Sequence, residues 1–471
     1  MLEEIPVQEI VRVALRGGGD FADLFFEESR SIFIVCEEDR IEKVVSGVEI
    51  GVGLRVLLDM RTLYAFTNQL TREGLTGLAE EVRRAVSKEK GRSVMDFTRH
   101  PPSGASSVKA PFSSPVDRCP DDVPMGEKIS VVRRANDMAR KNNGHVRQVK
   151  VFYRDFTQNL SIVNSEGTWV EGKRTGTLFS VQVVSAKGDL VQTGYEAVGG
   201  IMGFELFDVH PPEDVAETAA RRSQLMLSAR KAPMGRMPVV LSSEAGGTMI
   251  HEAIGHGLEA DLAQQGLSVF SKKVGEKVAS PLITVVDDAT LSRKRGSYAF
   301  DDEGVTSRKT VLVQGGILKG YLYDRLAAMK DGTGSTGNGR RESYRHKPIP
   351  RMSNTMILPG TSKPEEIIRS VEKGLLVRKM GGGQVNTVNG DFVFEVSEGY
   401  LIEKGSVAEP IRGAILTGNG PQVLKEIDRV GNDLGFGIGT CGKEGQGVPV
   451  SDAQPTLRIP EIVVGGQHNG R

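Results

Sequence analysis

The run His251-Glu252-Ala253-Ile254-Gly255-His256 sets two imidazoles and a carboxylate on about one and a half helical turns. Two imidazoles can hold one divalent metal ion. A carboxylate beside the first can shuttle a proton for a water that the metal activates. The histidines are five residues apart, which on an ideal α-helix separates them by about 140°. One ion does not bridge that angle without distortion. Two local structures remove the conflict. A π-helical bulge brings residues i and i+5 onto one face and often marks a functional site. Alternatively the helix ends at the glycines, because Gly255 and Gly257 flank His256 and let the backbone leave helical geometry. The expected element is a helix from about Glu244, after the strand-like Met237–Leu241, with Ser242 or Ser243 as its N-cap. The bland alternative is two ordinary histidines ending a buried helix.

A catalytic zinc usually has three protein ligands. Glu259 and Asp261 are close in sequence and chemically suitable. So is Cys441, set among Gly437, Gly439, Gly442, Gly445 and Gly447, where the backbone can turn sharply and approach a site. A thiolate with two neutral imidazoles leaves a divalent ion with a net charge of about +1 and one open position. The other cysteines are Cys36, in the apolar run IFIVC, and Cys119, in a segment rich in Pro and Ser. Three cysteines make no disulfide framework.

The chain resembles the TldD/PmbA family of metalloproteases, and its TldD branch in particular. The matching runs are HEAIGHGLEAD, GSYAFDDEG, LKGYLYDRLAA, STGNGRRESYR, PIPRMSNT, ILTGNGPQVL, GNDLGFGIGTCGKEGQ and QPTLRIPEIVVGG, spread over nearly all of residues 238–466. GGDFADLFFE and SGVEIGVGLRVL extend a weaker similarity into the N-terminal half. The resemblance implies that His251, His256 and Cys441 are metal ligands and that Glu252 is the catalytic glutamate. The PmbA/TldE branch is similar but lacks the HExxxH residues. Keeping them implies the active subunit, which processes unstructured polypeptides within a closed dimer, often with a PmbA-like partner.

Lys+Arg and Asp+Glu are 60 each, so no net charge draws the chain to nucleic acid or an anionic membrane. No apolar run reaches the length of a membrane span, and MLEEIPVQEI is unlike a signal peptide. Sparse cysteine points to the cytoplasm. At 471 residues two domains are expected, 1–232 and 233–471, with Pro and Gly interrupting at Lys231–Arg236. Helical spacing predicts helices at Val7–Leu15, Thr71 (as cap) to about Glu89, Met125–Lys141 and Val215–Ala229. Strands are expected over Asp20–Phe66 and Val149–Val198, with a hairpin around Gly188, and an extended crossing segment over Gly91–Pro124. LITVVDD, KTVLVQGGILKGYLYD and FVFEVSEGYLIEKG read as antiparallel strands with Gly at the turns. The fold class is therefore α+β: a mixed N-terminal α/β domain and a β-rich, largely antiparallel C-terminal domain carrying the metal-site helix.

Gly332–Gly339 lacks the GK[ST] ending of a P-loop and reads better as a mobile loop near the substrate. Arg340, Arg341 and Arg345 either clamp a substrate carboxylate or form ordinary ion pairs, the second being favoured. Asp301-Asp302-Glu303 offers an acceptor for a ligand imidazole, or a solvated turn. His210 and His346 read as structural or surface groups, and Trp169 as packing.

The leading function is a zinc-dependent peptidase with one Zn2+ per chain and Glu252 as general base. An unfolded peptide substrate would add to an exposed strand edge. The alternative is a non-catalytic peptide-binding or scaffold subunit with a structural metal, which would need a closed set of four ligands. A homodimer and a heterodimer with a PmbA/TldE-like subunit are both open, and neither nucleic acid nor membrane is expected.

Overall fold

A computed structural model describes residues 6–86, 115–141 and 144–466. The chain opens with α1 (Val7–Leu15), whose Val7, Ile10, Val11 and Ala14 form one buried stripe. Three strands follow, β1 (Phe21–Glu37), β2 (Arg40–Leu58) and β3 (Arg61–Thr67). Their two-residue turns, Glu38-Asp39 and Asp59-Met60, hold positive φ at both positions. Such turns match the twist of the strands they join. Next comes α2 (Arg72–Val86), where Thr71 Oγ1 accepts from Gly74 N at 3.1 Å, as a cap should. After α3 (Met125–Arg140) come β4 (Val146–Asn164), β5 (Trp169–Lys187) and β6 (Leu190–Gly200), the last two joined at Gly188 with φ +60°. Residues 91–114 of the expected crossing segment, and 87–89 of the expected helix end, lie outside the described residues.

The six strands form one antiparallel sheet in the order β3-β2-β1-β4-β5-β6. Alternation splits its faces. Ala22, Leu24, Phe26, Val52, Leu54 and Val56 pack under α1 and α2. Val149, Val151, Phe179 and Val181 pack under α3 and the Pro212–Ser228 helix. The opposite face meets the second half of the chain, where Phe25, Leu160 and Ile162 pack on Phe300 and Tyr344. Gly51 lies on this face because a Cβ there would sit 2.3 Å from the Tyr344 ring.

Two further sheets occupy the second half. One has six strands, in spatial order Ile317–Leu318, Lys309–Gln314, Val285–Asp288, Asn354–Ile357, Gln446–Gln454 and Gly435–Lys443. The other has eight, with Lys373–Val385, Gly235–Leu241 and Leu457–Gly465 adjacent. Pairing is mostly antiparallel, with parallel pairs such as Asn354–Ile357 on Gln446–Gln454. One apolar core joins both sheets to a short helical segment: Leu241 and Phe394 from one, Val285 and Val450 from the other, and Ile250, Ile254 and Leu258 between them. That arrangement is α+β. No helix among the described residues is long and apolar enough to cross a membrane.

Candidate metal centre

The segment that carries the histidines is held at both ends. Ser242 caps only a 3-10 turn, Ser243–Ala245, through Glu244 N at 3.2 Å. The chain then breaks at Gly246 (φ +69°), so the continuous helix begins at Thr248 and not near Glu244. Close approach explains the break. A Cβ at Gly247 would lie 2.3 Å from Ala453 N, and one at Gly246 3.0 Å from Gly437 Cα. The amide of Gly247 donates to the buried Asp452 Oδ1 at 3.0 Å. Thr248–Ile250 is α-helical, His251–Gly255 is a π turn and His256–Leu258 is 3-10. The π turn puts both imidazoles on one side, with ring centroids 5.0 Å apart and planes at 89°. Gly255 and Gly257 serve packing, since a Cβ at either would press within 3 Å of Met352 or Phe270.

Cys441 arrives on the Gly435–Lys443 strand. Its Sγ lies 3.5 Å from His256 Nε2. Donor atoms of His251, His256 and Cys441 all lie within 4.8 Å of one another. Burial alone would raise the Cys441 thiol, but hydrogen bonds and charge from the two imidazoles outweigh it and bring it down to about 5. The sulfur is then a thiolate at neutral pH, the form that binds metal. His251 is 5% exposed, and its Nδ1 is buried with no hydrogen-bond partner. A buried orphan nitrogen beside a thiolate and a second imidazole fits a metal ligand better than a structural histidine.

Glu259 and Asp261 stand outside that group. Glu259 Oε2 lies 3.1 Å from His256 Nδ1 and 3.0 Å from Lys443 Nζ. Burial opposes its charge, yet Lys443, His256 and Arg351 overcome this and hold its carboxyl at about 2. It therefore orients His256 from behind, leaving Nε2 toward Cys441. Asp261 pairs with Lys443 at 2.7 Å. Lys443 and Asp452 escaped the sequence reading. Lys443 was findable, because residues i and i+2 of a strand share a face and Cys441 is two before it. Asp452 gave no local signal.

Glu252, half-buried, lines an open cleft of 440 Å³ with the three donors, Gln384 and Lys443. Burial pushes its carboxyl up, offset in part by the imidazoles.

Other candidates fall elsewhere. Asp301, Asp302 and Glu303 serve no ligand imidazole. Glu303 binds Arg55 at 2.6 Å and Asp302 binds Arg174 at 2.7 Å, tying the two halves together. The Gly332–Gly339 loop is pinned, with Asn338 Nδ2 donating to Asp287 at 2.8 Å and Gly339 N to Asp301 at 2.9 Å. Arg340 donates to the carbonyls of Met352 and Pro449, and Arg341 to that of Asp302. Arg345 lies 3.5 Å from Glu49. His346 Nδ1 lies 3.1 Å from Ser343 Oγ. Trp169 is 36% exposed and donates to Glu171, so it packs less than expected.

Profiles of the PmbA/TldA metallopeptidases match as domain 1 over residues 22–88, central domain over 118–227 and C-terminal domain over 234–466. The first two share the six-stranded sheet. A metalloprotease TldD homolog of Haemophilus influenzae is 38% identical, covering 95% of this chain and 93% of that protein. A metalloprotease of Methanothermobacter thermautotrophicus is 36% identical, covering 95% and 96%. In Saccharolobus solfataricus a zinc metalloprotease TldD homolog is 27% identical, covering 95% and 97%. Among solved structures, a putative modulator of a DNA gyrase from Thermotoga maritima has a TM-score of 0.78 at 22% identity, covering 98% of this chain and 99% of that one. TldE from Thermococcus kodakarensis has 0.72 at 19%, covering 98% and 100%. These two share the fold. With three profiles together matching most of the chain and relatives above one-third identity over nearly all of it, the chain belongs to the PmbA/TldD family of metallopeptidases.

Proposed function

We propose that the chain is a zinc-dependent peptidase that hydrolyses unstructured peptides, with His251, His256 and Cys441 holding one zinc ion and Glu252 as general base. One observation carries the reading: two imidazoles, a thiolate and a carboxylate line a single open cleft. Imidazole and thiolate donors favour zinc over harder ions, and the Saccharolobus relative is named a zinc enzyme. Zinc, when bound, supplies Lewis acidity for activating water and polarising the scissile carbonyl. Glu252 takes the proton from the attacking water and delivers it to the leaving amine nitrogen. Glu259 fixes the ring of His256 throughout. Glu259 is engaged by Lys443 and His256, so the donor set stays at three and open, which favours catalysis over the structural-metal scaffold.

The cleft also supports a peptide substrate. Gly383, Gln384 and Val385 line it, and among the described residues they pair only with Asp391–Glu403. Their other edge can take an extended peptide through backbone hydrogen bonds, with little regard to sequence. The working assembly is a cytoplasmic dimer, with a second copy or with a TldE-like subunit of the same fold.

The test is zinc content by elemental mass spectrometry together with cleavage of casein. Wild type should carry about one zinc per chain. Glu252→Gln should keep it and lose at least ~100-fold in turnover. Full cleavage by Glu252→Gln would remove the residue from its role. Zinc retained in Cys441→Ala would break the ligand set.

A further inference from the structure

A second cavity, of 360 Å³, meets the cleft at Thr440, which borders both. Its floor is the face of the first sheet that meets the second half of the chain. There Arg154 and Phe156 of β4 share a face by alternation, and Leu178 of β5 stands opposite Arg154. Its roof comes from the second half and includes Arg295 and Arg340.

Charge is what sets this cavity apart. Of its arginines, Arg174 pairs with Asp302 at 2.7 Å, Arg345 with Glu49 at 3.5 Å, and Arg341 lies 3.9 Å from Asp23. Arg154, Arg295 and Arg340 have no carboxylate within 4.0 Å among the described residues. Arg295 donates to Gly439 O at 3.2 Å, and Arg340 to Met352 O and Pro449 O at 2.6 and 2.8 Å. Carbonyls satisfy N–H groups without neutralising charge, and the carboxylates that line the same cavity, Glu27, Glu49, Asp302 and Glu342, all lie beyond 4.0 Å of these three arginines. Burial, then repulsion from Arg154 and Arg340, holds Arg295 down to about 10. Three guanidinium groups lining one ligand-sized cavity, none with a carboxylate within 4.0 Å among the described residues, make a place for an anion. A carboxylate brings one charge; a phosphoryl group brings about two, with three oxygens for the guanidinium forks. Phe156 and Leu178 add an apolar wall.

We infer that this cavity binds a small phosphomonoester, its phosphoryl group on Arg154, Arg295 and Arg340 and its organic part against Phe156 and Leu178. The site is separate from the zinc ligands, so it stands or falls independently of the peptidase assignment.

The experiment is isothermal titration of the full-length protein with phenyl phosphate, inorganic phosphate and benzoate, repeated on Arg154→Gln and Cys441→Ser. Arg154 is exposed and has no ion pair among the described residues, so its replacement leaves the fold alone. Phenyl phosphate should bind saturably, at least ~10-fold tighter than benzoate, and Arg154→Gln should weaken it by a similar factor. Cys441→Ser should not change it. The proposal is overturned by no saturable binding, by benzoate or inorganic phosphate binding as tightly as phenyl phosphate, or by loss in Cys441→Ser with Arg154→Gln unaffected.

Discussion

Glu259, three positions beyond the candidate ligand His256, braces the proposed centre without joining its donor set. Its carboxylate is fully buried between His256, Lys443 and Arg351. Replacing it by glutamine keeps the shape and removes the charge that fixes the imidazole. Removal of such an orienting carboxylate weakens metal affinity by ~10–100-fold. Glu259→Gln should therefore lose zinc to a competing chelator at correspondingly lower concentration, while Lys443 keeps Asp261 as partner at 2.7 Å. Unchanged zinc affinity would reduce Glu259 to a structural ion pair. The candidate donors could be read from the sequence because histidine and cysteine are scarce, seven and three in the chain, and chemically distinct. The role of Glu259 could not. A carboxylate three residues after a histidine can ligate the metal or brace the ring, and only the direction in which the chain leaves the helix decides.

At the scale of elements, spacing left a choice between a π turn and a helix ended by glycine. The π turn prevails because Gly255 and Gly257 are used to bring the segment against Met352 and Phe270, not to end it. What ends the helix early lies at its other end, where Gly246 and Gly247 pass strands over 180 residues away in sequence. Local pattern does not record such contacts. The helix Arg325–Asp331 offers a cleaner test of element-level physics. Asp324 caps it, accepting from Ala327 N at 2.7 Å, while burial and the Glu303 charge push its carboxyl up to about 7. The folded protein therefore binds a proton here that the unfolded chain, titrating near 3.8, has already released. Stability from this group is present below pH ~4 and is lost progressively as pH rises toward 7. Asparagine caps as well as aspartate but does not ionise. Asp324→Asn should match wild type in denaturant midpoint at low pH and exceed it at pH 8. Parallel curves across that range would show that the carboxyl is not strained by its burial.

The whole molecule depends on a charged joint that no local reading could find. Arg55 of β2 is fully buried, with Asp23 of the same sheet on one side and Glu303, 248 positions along the chain, on the other. It joins the sheet of the first half to the half that carries the candidate metal centre. The expected division near residue 232 follows the composition of the chain. It says nothing of how the parts meet, because a pairing at that separation leaves no periodicity. Losing one partner of a buried pair costs about 3–5 kcal/mol, since the remaining charges stay desolvated and unpaired. Arg55→Met should lower the unfolding free energy, read from denaturant curves, by that order, and the two carboxylates left facing each other should make the loss greater at pH 8 than at pH 5. Replacing all three groups together, as Arg55→Met with Asp23→Leu and Glu303→Leu, removes the three desolvated charges of the joint and should recover much of the stability, less what Arg341, 3.9 Å from Asp23, loses with that carboxylate. If the triple variant were no more stable than Arg55→Met alone, packing at the joint, and not the desolvated charge, would be what holds the two halves together.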